Sequence, residues 1–294
     1  MILNRTFLFV PANHLHRVSK ALSTEVDAVI LDLEDAVAVS EKAQARSLIQ
    51  TTLQKPRFAR AYVRSNAVDT QHFNADVQEC VHLGLDGIVL PMLQRPEDLA
   101  IADWLITQWE RERGLVAGSI DLIPIIETAA GIARVEAIAD AAARLSRVRR
   151  LALGAGDLSL DLGMTLTSHE SELLAHRSRL AVASRVAGLE APLDTVFGNV
   201  RDSEGCKASA RRASELGFQG KMCIHPDQCA IVEEAFAPSA EALSRARTIV
   251  AEFEAAEREG VASIASAGQL IDYPIYLRAQ LVLQSQRGRP TSTT

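Results

Sequence analysis

The sequence predicts an α/β fold, specifically a (β/α)8 TIM barrel with a C-terminal helical extension. Eight short apolar runs alternate with helical stretches, which is typical of parallel strands joined by crossover helices. The run at 121–127 is apolar at every interior position, as expected for a strand covered on both faces. An open doubly wound sheet is disfavoured, because no GxGxxG turn follows the first run. The eight predicted strands lie at 6–12, 27–35, 59–66, 86–92, 121–127, 151–157, 192–198 and 218–226.

The pattern changes after Pro238 and divides the chain into three parts. We predict a catalytic barrel over 1–236, a helical extension over 237–287 and a disordered tail over 288–294. Within the barrel, Thr167 and Glu170 fit a capping box that would begin a helix.

Composition narrows the class of protein. The 294 residues carry 48% hydrophobic and 23% charged residues with a net charge of -6, which is typical of a soluble globular protein. This charge gives no electrostatic reason to expect nucleic acid or a membrane surface as a partner. The N-terminal apolar stretch is too short for a secretory signal, so we expect a cytoplasmic protein. Four cysteines without a CxxC pair predict free thiols rather than disulfides or a zinc site.

Acidic side chains and one arginine gather at the predicted carboxyl ends of the strands, where barrel enzymes place their active sites. Taken singly, each could cap a helix or form an ion pair. Their common placement favours a site instead. These residues are Asp32, Glu34, Asp35, Arg64, Asn66, Glu127, Asp157 and His225.

Glu127 and Asp157 are the predicted metal ligands. Carboxylates from adjacent strands can hold Mg²⁺ while water and substrate fill its remaining positions, and Mn²⁺ suits the same ligands. The loop that carries Asp157 contains Ala155 and Gly156, whose backbone N–H groups would bind a substrate carboxylate.

Arg64 is the predicted oxyanion-binding residue. Its guanidinium suits a carboxylate or a developing enolate, although a salt bridge to Glu34 or Asp35 would be the structural alternative. We expect Glu34 and Asp35 to border the substrate. A metal beside an arginine can stabilise an oxyanion during carbon–carbon bond cleavage. The sequence has no GxSxG elbow or P-loop, and Lys221 is interpreted as a packing residue rather than a Schiff-base lysine.

Seven motifs in order along the chain resemble the citrate lyase β-subunit-like family, which includes malyl-CoA and citramalyl-CoA lyases. They are LFVPAN at 8–13, DLEDAV at 32–37, VRSNAVDT at 63–70, IIETAAG at 125–131, LGAGDL at 153–158, IHPDQ at 224–228 and GQLID at 268–272.

The resemblance implies roles for individual residues. Glu127 and Asp157 would bind Mg²⁺, and Arg64 would contact the thioester carbonyl or its enolate. Asp272 would act as the acid/base group at the barrel mouth of a neighbouring subunit in a homotrimer or hexamer, and could also cap the helix that follows it. The residues implied near CoA, which is part of the substrate, are Phe9, Lys20, Ile224, His225 and Pro226.

The expected activity is a Mg²⁺-dependent retro-Claisen cleavage of a 3-hydroxy dicarboxylic acyl-CoA, of the malyl-CoA or citramalyl-CoA type, to a 2-keto acid and an acyl-CoA. One alternative is a citrate lyase β subunit that acts on an acyl-carrier-protein thioester with partner subunits. Another is a malyl-CoA thioesterase. A non-catalytic CoA-binding protein is the least favoured, because Arg64, Glu127 and Asp157 are all present.

Overall fold

The computed structural model describes residues 4–266 and 268–286. These residues form two compact units, one from Asn4 to Glu233 and one that begins at Glu234. The predicted disorder of 288–294 lies outside the described residues.

The first unit is built around a curled, parallel seven-stranded sheet with the order β6-β5-β4-β3-β2-β1-β7. Every pairing in the sheet is parallel, as the alternation of strands and helices predicts. The strands are β1 (Thr6–Pro11), β2 (Ala28–Asp32), β3 (Arg60–Arg64), β4 (Gly87–Leu90), β5 (Asp121–Ile126), β6 (Ala152–Leu153) and β7 (Lys221–Cys223).

The seventh predicted strand, at 192–198, is present only as two isolated parallel bridges. Leu193 pairs with Ala152 of β6, and Asp194 pairs with Lys221 of β7. Pro192 has no N–H to donate to a ladder, which helps to limit the pairing to two residues. The prediction of eight regular strands is therefore confirmed for seven of the eight segments.

Helices cover the outside of the sheet. They are α1 (Leu15–Leu22), α2 (Lys42–Leu53), α3 (Phe73–Cys80), α4 (Pro96–Glu112), α5 (Ala129–Ala133), α6 (Val135–Ala142), α7 (Ala155–Leu162), α8 (Leu174–Val186), α9 (Ser203–Glu215) and α10 (Pro226–Phe236), with short 3₁₀ turns at Val39–Glu41 and Ser171–Leu173. In the described part of the chain, no helix is both long and apolar enough to cross a membrane. All four cysteines are buried free thiols, as predicted.

Side chains that alternate along the strands fill the concave face of the sheet, as the period of two requires. Gly87 leaves room for the ring of Tyr62, because a Cβ there would lie 2.3 Å from the Tyr62 Cε1 atom. The buried cluster consists of Phe7, Ala28, Ile30, Tyr62, Val89, Ile123, Ile125, Ala152, Leu193 and Met222.

A buried network of charges lies where Lys221 was expected simply to pack. Asp194 accepts hydrogen bonds from Lys221 and, at 2.8 and 3.0 Å, from Nε and Nη2 of Arg177. These cations outweigh burial and hold the pKa of Asp194 below its usual value. The network fixes the two-residue segment that joins β6 to β7.

The predicted capping box at Thr167 is wrong. The Thr167 N–H and hydroxyl donate to Glu172, at 2.6 and 2.9 Å, rather than exchanging bonds with Glu170. Glu170 has a φ of 50° and pairs with Arg177, at 2.9 Å between Oε2 and Nη1. Its burial against this arginine, which the sequence spacing does not reveal, overrides the local capping pattern.

The second unit contains two helices and a short antiparallel strand pair. Tyr273 and Tyr276 pack on the ring of Phe253, with centroids at 5.0 and 4.7 Å. Both helices lie within 237–287, where the sequence predicts a helical extension. The elements are α11 (Ala240–Arg258), β8 (Ile264–Ser266), β9 (Gln269–Ile271) and α12 (Tyr273–Gln284).

Candidate active site

Arg64, the last residue of β3, is held by three carboxylates from the end of β2 and the loop after it. Asp32 accepts from Nε at 2.7 Å and from Nη2 at 2.6 Å, a bidentate pair that fixes the plane of the guanidinium. Nη1 lies 2.7 Å from Glu34 Oε2 and 3.4 Å from Asp35 Oδ2. The guanidinium also stacks over Phe9, 4.9 Å from its ring centroid. The salt bridge weighed as an alternative role for Arg64 is therefore present.

Asp32 organises this group, although sequence reasoning placed it at a strand end without giving it a role. Its side chain is buried, and besides Arg64 it accepts from the N–H groups of Glu34 at 3.0 Å and Ala36 at 3.2 Å. These bonds shape the loop that presents Glu34 and Asp35. The sequence feature that could have indicated this role is an acid at a predicted strand end. In the structure, β2 pairs with β3 so that Asp32 lies opposite Arg64.

Glu34 sits in an environment that favours its neutral form. Burial, helped by the negative charges of Asp35, Glu127 and Asp32, raises the pKa of Glu34 to about 8, although Arg64 opposes this shift. Burial, more than repulsion by the neighbouring acids, is therefore what raises this pKa.

Glu127 follows β5 and is 3% exposed. Its Oε1 accepts from the Met92 N–H at 2.7 Å, and its Oε2 lies against Gly154, where a Cβ would approach within 2.1 Å. Burial raises the pKa of Glu127 to about 7; the Met92 hydrogen bond opposes this shift, and the charge of Asp157 adds to it. A cation bound beside Glu127 would favour the charged carboxylate and lower this pKa.

Met92 adopts an unusual backbone conformation to make this contact. Its φ is 54°, in the left-handed region that a residue with a side chain seldom enters. Such strain gathers at functional sites, and here it points the N–H at Glu127. The residue type gives no sequence signal for this role.

Asp157 lies in the first turn of α7, half-buried, and its charge is felt at Glu127. The start of the helix is fixed by Thr195, whose Oγ1 accepts from the Ala155 N–H at 2.8 Å. This contact occupies one of the two N–H groups predicted to bind substrate. A Cβ on Gly156 would meet no atom within 4 Å among the described residues, so that side of the turn is open.

The residues present fit a hard divalent cation held by few protein ligands. Glu127 and Asp157 supply carboxylate oxygens, and Glu127 Oε2 receives no hydrogen bond from the described residues. Within 4–266 and 268–286, no group of three His, Cys, Asp or Glu side chains is placed to hold a metal. A cation here would take its remaining ligands from water or substrate, as Mg²⁺ commonly does.

The residues expected near CoA come from β1, α1 and the end of β7. Phe9 lies beneath Arg64, and Lys20 is exposed in the last turn of α1. Ile224 is partly exposed and donates its N–H to Gln228 Oε1 at 3.0 Å. His225 follows it, and Pro226 is the first residue of α10. Because β1 pairs with β7, Phe9 and the end of β7 belong to neighbouring strands.

Asp272 belongs to the second unit and caps α12. Its Oδ1 accepts from the Ile275 N–H at 3.2 Å, which confirms the predicted helix cap. Thr128 caps α5 in the same way, since its Oγ1 accepts from the Gly131 N–H at 3.0 Å.

The curled parallel sheet, with acids and an arginine at the carboxyl ends of its strands, defines a TIM-barrel-like α/β protein whose candidate site is suited to oxyanion chemistry. Residues 5–226 match the family described as HpcH/HpaI aldolase/citrate lyase. The chain belongs to this family.

Relatives named for different activities have similar identity to this chain. The chain is 34% identical to the citrate lyase subunit beta of Leuconostoc mesenteroides subsp. cremoris, over 96% of this chain and 93% of that one. It is also 34% identical to the L-malyl-CoA/beta-methylmalyl-CoA lyase of Cereibacter sphaeroides, over 96% and 94%. A solved structure of the protein CitE from Mycobacterium tuberculosis, in complex with magnesium, acetoacetate and coenzyme A, superposes with a TM-score of 0.77 at 30% identity, covering 96% of this chain and 98% of that one.

Proposed function

We propose that this protein is a Mg²⁺-dependent carbon–carbon lyase that cleaves a 3-hydroxy dicarboxylic acyl-CoA to a 2-keto acid and an acyl-CoA. The main support for this proposal is Glu127. Its carboxylate is buried, its pKa is raised, and the charges of Asp157 and Arg64 act on it. The magnesium and coenzyme A bound by the Mycobacterium tuberculosis relative support the same ligands here. We further infer that the bridges at Leu193 and Asp194 close the sheet into an eight-membered barrel.

Glu127 and Asp157 would hold the cation. When bound, Mg²⁺ would polarise the substrate hydroxyl and orient the adjacent carboxylate. Met92 and Gly154 keep Glu127 in place for this task, and Thr195 does the same for the helix turn of Asp157.

Arg64 would bind the thioester oxygen as it becomes negative. Loss of the hydroxyl proton lets the C2–C3 bond break; its electron pair passes to the thioester enolate, and a proton is then returned to C2. Of the five N–H groups of Arg64, Asp32 and Glu34 engage three, so others remain for the enolate. Asp35, at 3.4 Å, is the weakest competitor.

Asp272 would exchange the proton with C2. In the proposal, this residue comes from a neighbouring copy in a trimer or hexamer, and the active protein is therefore a homo-oligomer. The pantetheine arm of CoA would pass along Phe9, Lys20 and the 224–226 segment, while the Gly156 N–H and the Glu34–Asp35 loop border the acyl group.

A second candidate function is that of a citrate lyase β subunit acting on a citryl thioester of acyl-carrier protein. The equal identity to a citrate lyase β subunit and to a malyl-CoA lyase supports it. Both candidates use the same cleavage chemistry and differ in the thioester carrier.

Product analysis tests the proposal. The Mg²⁺-loaded protein is incubated with malyl-CoA, citramalyl-CoA and citryl-acyl-carrier protein, and both keto acid and free thiol are measured. Keto acid from a CoA substrate, equal in amount to the acyl-CoA formed, supports the first candidate, whereas turnover of the carrier-protein thioester alone supports the second. Free CoA without keto acid would indicate a thioesterase and overturn both.

A further inference from the structure

A cavity of about 340 Å³ lies at the carboxyl ends of β3, β4 and β5. Its apolar wall is formed by Val68, Pro91, Leu93 and Ala130. The volume is in the range of small-molecule sites, and this end of a parallel barrel is where ligands bind.

The cavity is separate from the candidate active site but touches it at one residue. Its lining includes none of Asp32, Arg64, Glu127 and Asp157. It does include Met92, whose N–H holds Glu127 Oε1 at 2.7 Å. Met92, whose left-handed backbone conformation positions Glu127, is thus also part of the cavity wall.

The charged residues of the wall favour a single negative charge in the ligand. Arg95 is already neutralised by Asp98, at 2.9 Å. Arg134, at the junction of α5 and α6, donates only to the Ala130 carbonyl oxygen, at 3.3 Å, and pairs with no carboxylate in the described part of the chain. Asp69 on the same wall would repel a dianion such as phosphate more strongly than a monocarboxylate.

We propose that this cavity binds a small monocarboxylate with an apolar body, and that its occupancy is transmitted to Glu127 through Met92. The carboxylate pairs with Arg134, and the apolar body packs on Pro91 and Leu93. Contact with Met92 favours the left-handed conformation that points its N–H at Glu127. The ligand therefore stabilises the arrangement in which the Glu127 carboxylate is held for the cation.

Calorimetric titration of the full-length, Mg²⁺-loaded protein with butyrate tests the binding site. Butyrate has no 2-keto or 2-hydroxy group, so it cannot imitate the chelating end of the proposed substrate. We expect saturable binding that Arg134→Gln weakens about two- to fivefold, because an ion pair made by an exposed arginine is lost. Arg144→Gln, which removes an exposed arginine outside the cavity, should bind butyrate like the wild type.

Three results would overturn the site. They are equal butyrate affinity in the wild type and Arg134→Gln, an equal loss in Arg144→Gln, and phosphate or 1-butanol binding as tightly as butyrate. Thermal melting of both variants shows whether they are folded, and the exposed position of Arg134 predicts that they are.

The transmission to Glu127 is tested by linkage, since a ligand that favours one arrangement must be favoured by it in turn. Saturating butyrate should tighten Mg²⁺ binding at least twofold in the wild type and leave it unchanged in Arg134→Gln. Butyrate that binds through Arg134 without changing Mg²⁺ affinity would overturn the role of Met92.

Discussion

Asp32 fixes the orientation of the Arg64 guanidinium. Glu34 and Asp35 also contact Arg64, and they determine which of its N–H groups remain free. The bidentate pair with Asp32 fixes the fork, whereas the contact with exposed Asp35 is long. Oxyanion stabilisation depends on a donor held in advance at the position where charge develops. At the residue scale, the proposed chemistry therefore depends on Asp32 as much as on Arg64.

Asp32→Asn should lower kcat/KM about 10- to 100-fold while the fold remains, because an amide cannot accept from both Nε and Nη2 of Arg64. Asp140→Asn, which changes an exposed carboxylate on α6 outside the candidate site, is the control and should change kcat/KM by less than about threefold. Steady-state kinetics on the substrate that the wild type cleaves provides the comparison. Equal losses in the two variants would show that Asp32 has no special role.

Mg²⁺ affinity should depend on pH through Glu127. Its pKa is raised to about 7, chiefly by burial, so below that pH the carboxyl group holds a proton that the cation must displace. The affinity should therefore fall about tenfold from pH 8 to pH 6, as expected for competition with one proton. Calorimetry at the two pH values measures it, and Glu127→Gln, which cannot titrate, should bind weakly with no such slope. A flat profile in the wild type would contradict Glu127 as a ligand.

At the element scale, the start of α7 carries Asp157 and is fixed from outside the helix. Thr195 follows the two bridge residues, and its hydroxyl accepts from the Ala155 N–H. The buried network of Asp194, Arg177 and Lys221 holds the same segment from the other side of the sheet. The two bridge residues are therefore held in a defined position, although they form no regular strand.

Thr195→Val keeps the shape of the side chain and removes the acceptor, leaving the buried Ala155 N–H unpaired. We expect Mg²⁺ affinity to fall about three- to tenfold, and the free energy of unfolding to fall by about 1–3 kcal/mol. Thr195→Ser restores the hydroxyl and should recover the Mg²⁺ affinity. Loss of stability in Thr195→Val with unchanged Mg²⁺ affinity would reduce Thr195 to a packing role.

At the scale of the whole molecule, the sequence pattern predicts the parallel sheet and the strand ends that gather the acids. Continuous apolar runs and the charged residues at their ends are local features, so Arg64 and Glu127 are recognisable before their contacts are known. The left-handed conformation of Met92 and the Thr195 contact depend on segments distant in sequence, and residue type does not encode them. The predicted capping role of Glu170 is wrong for the same reason, because the position of Glu170 is set by its contact with Arg177.

The central claim is that a cation held by Glu127 enables carbon–carbon cleavage at this site. The most direct test is the rate of keto acid release from the accepted thioester as Mg²⁺ is added, in the wild type and in Glu127→Gln. We expect a rate that rises with Mg²⁺ and saturates in the wild type, and that is at least about 100-fold lower in the variant at the same Mg²⁺ concentration. Equal keto acid release by the two proteins, or release that persists in a chelator, would contradict it.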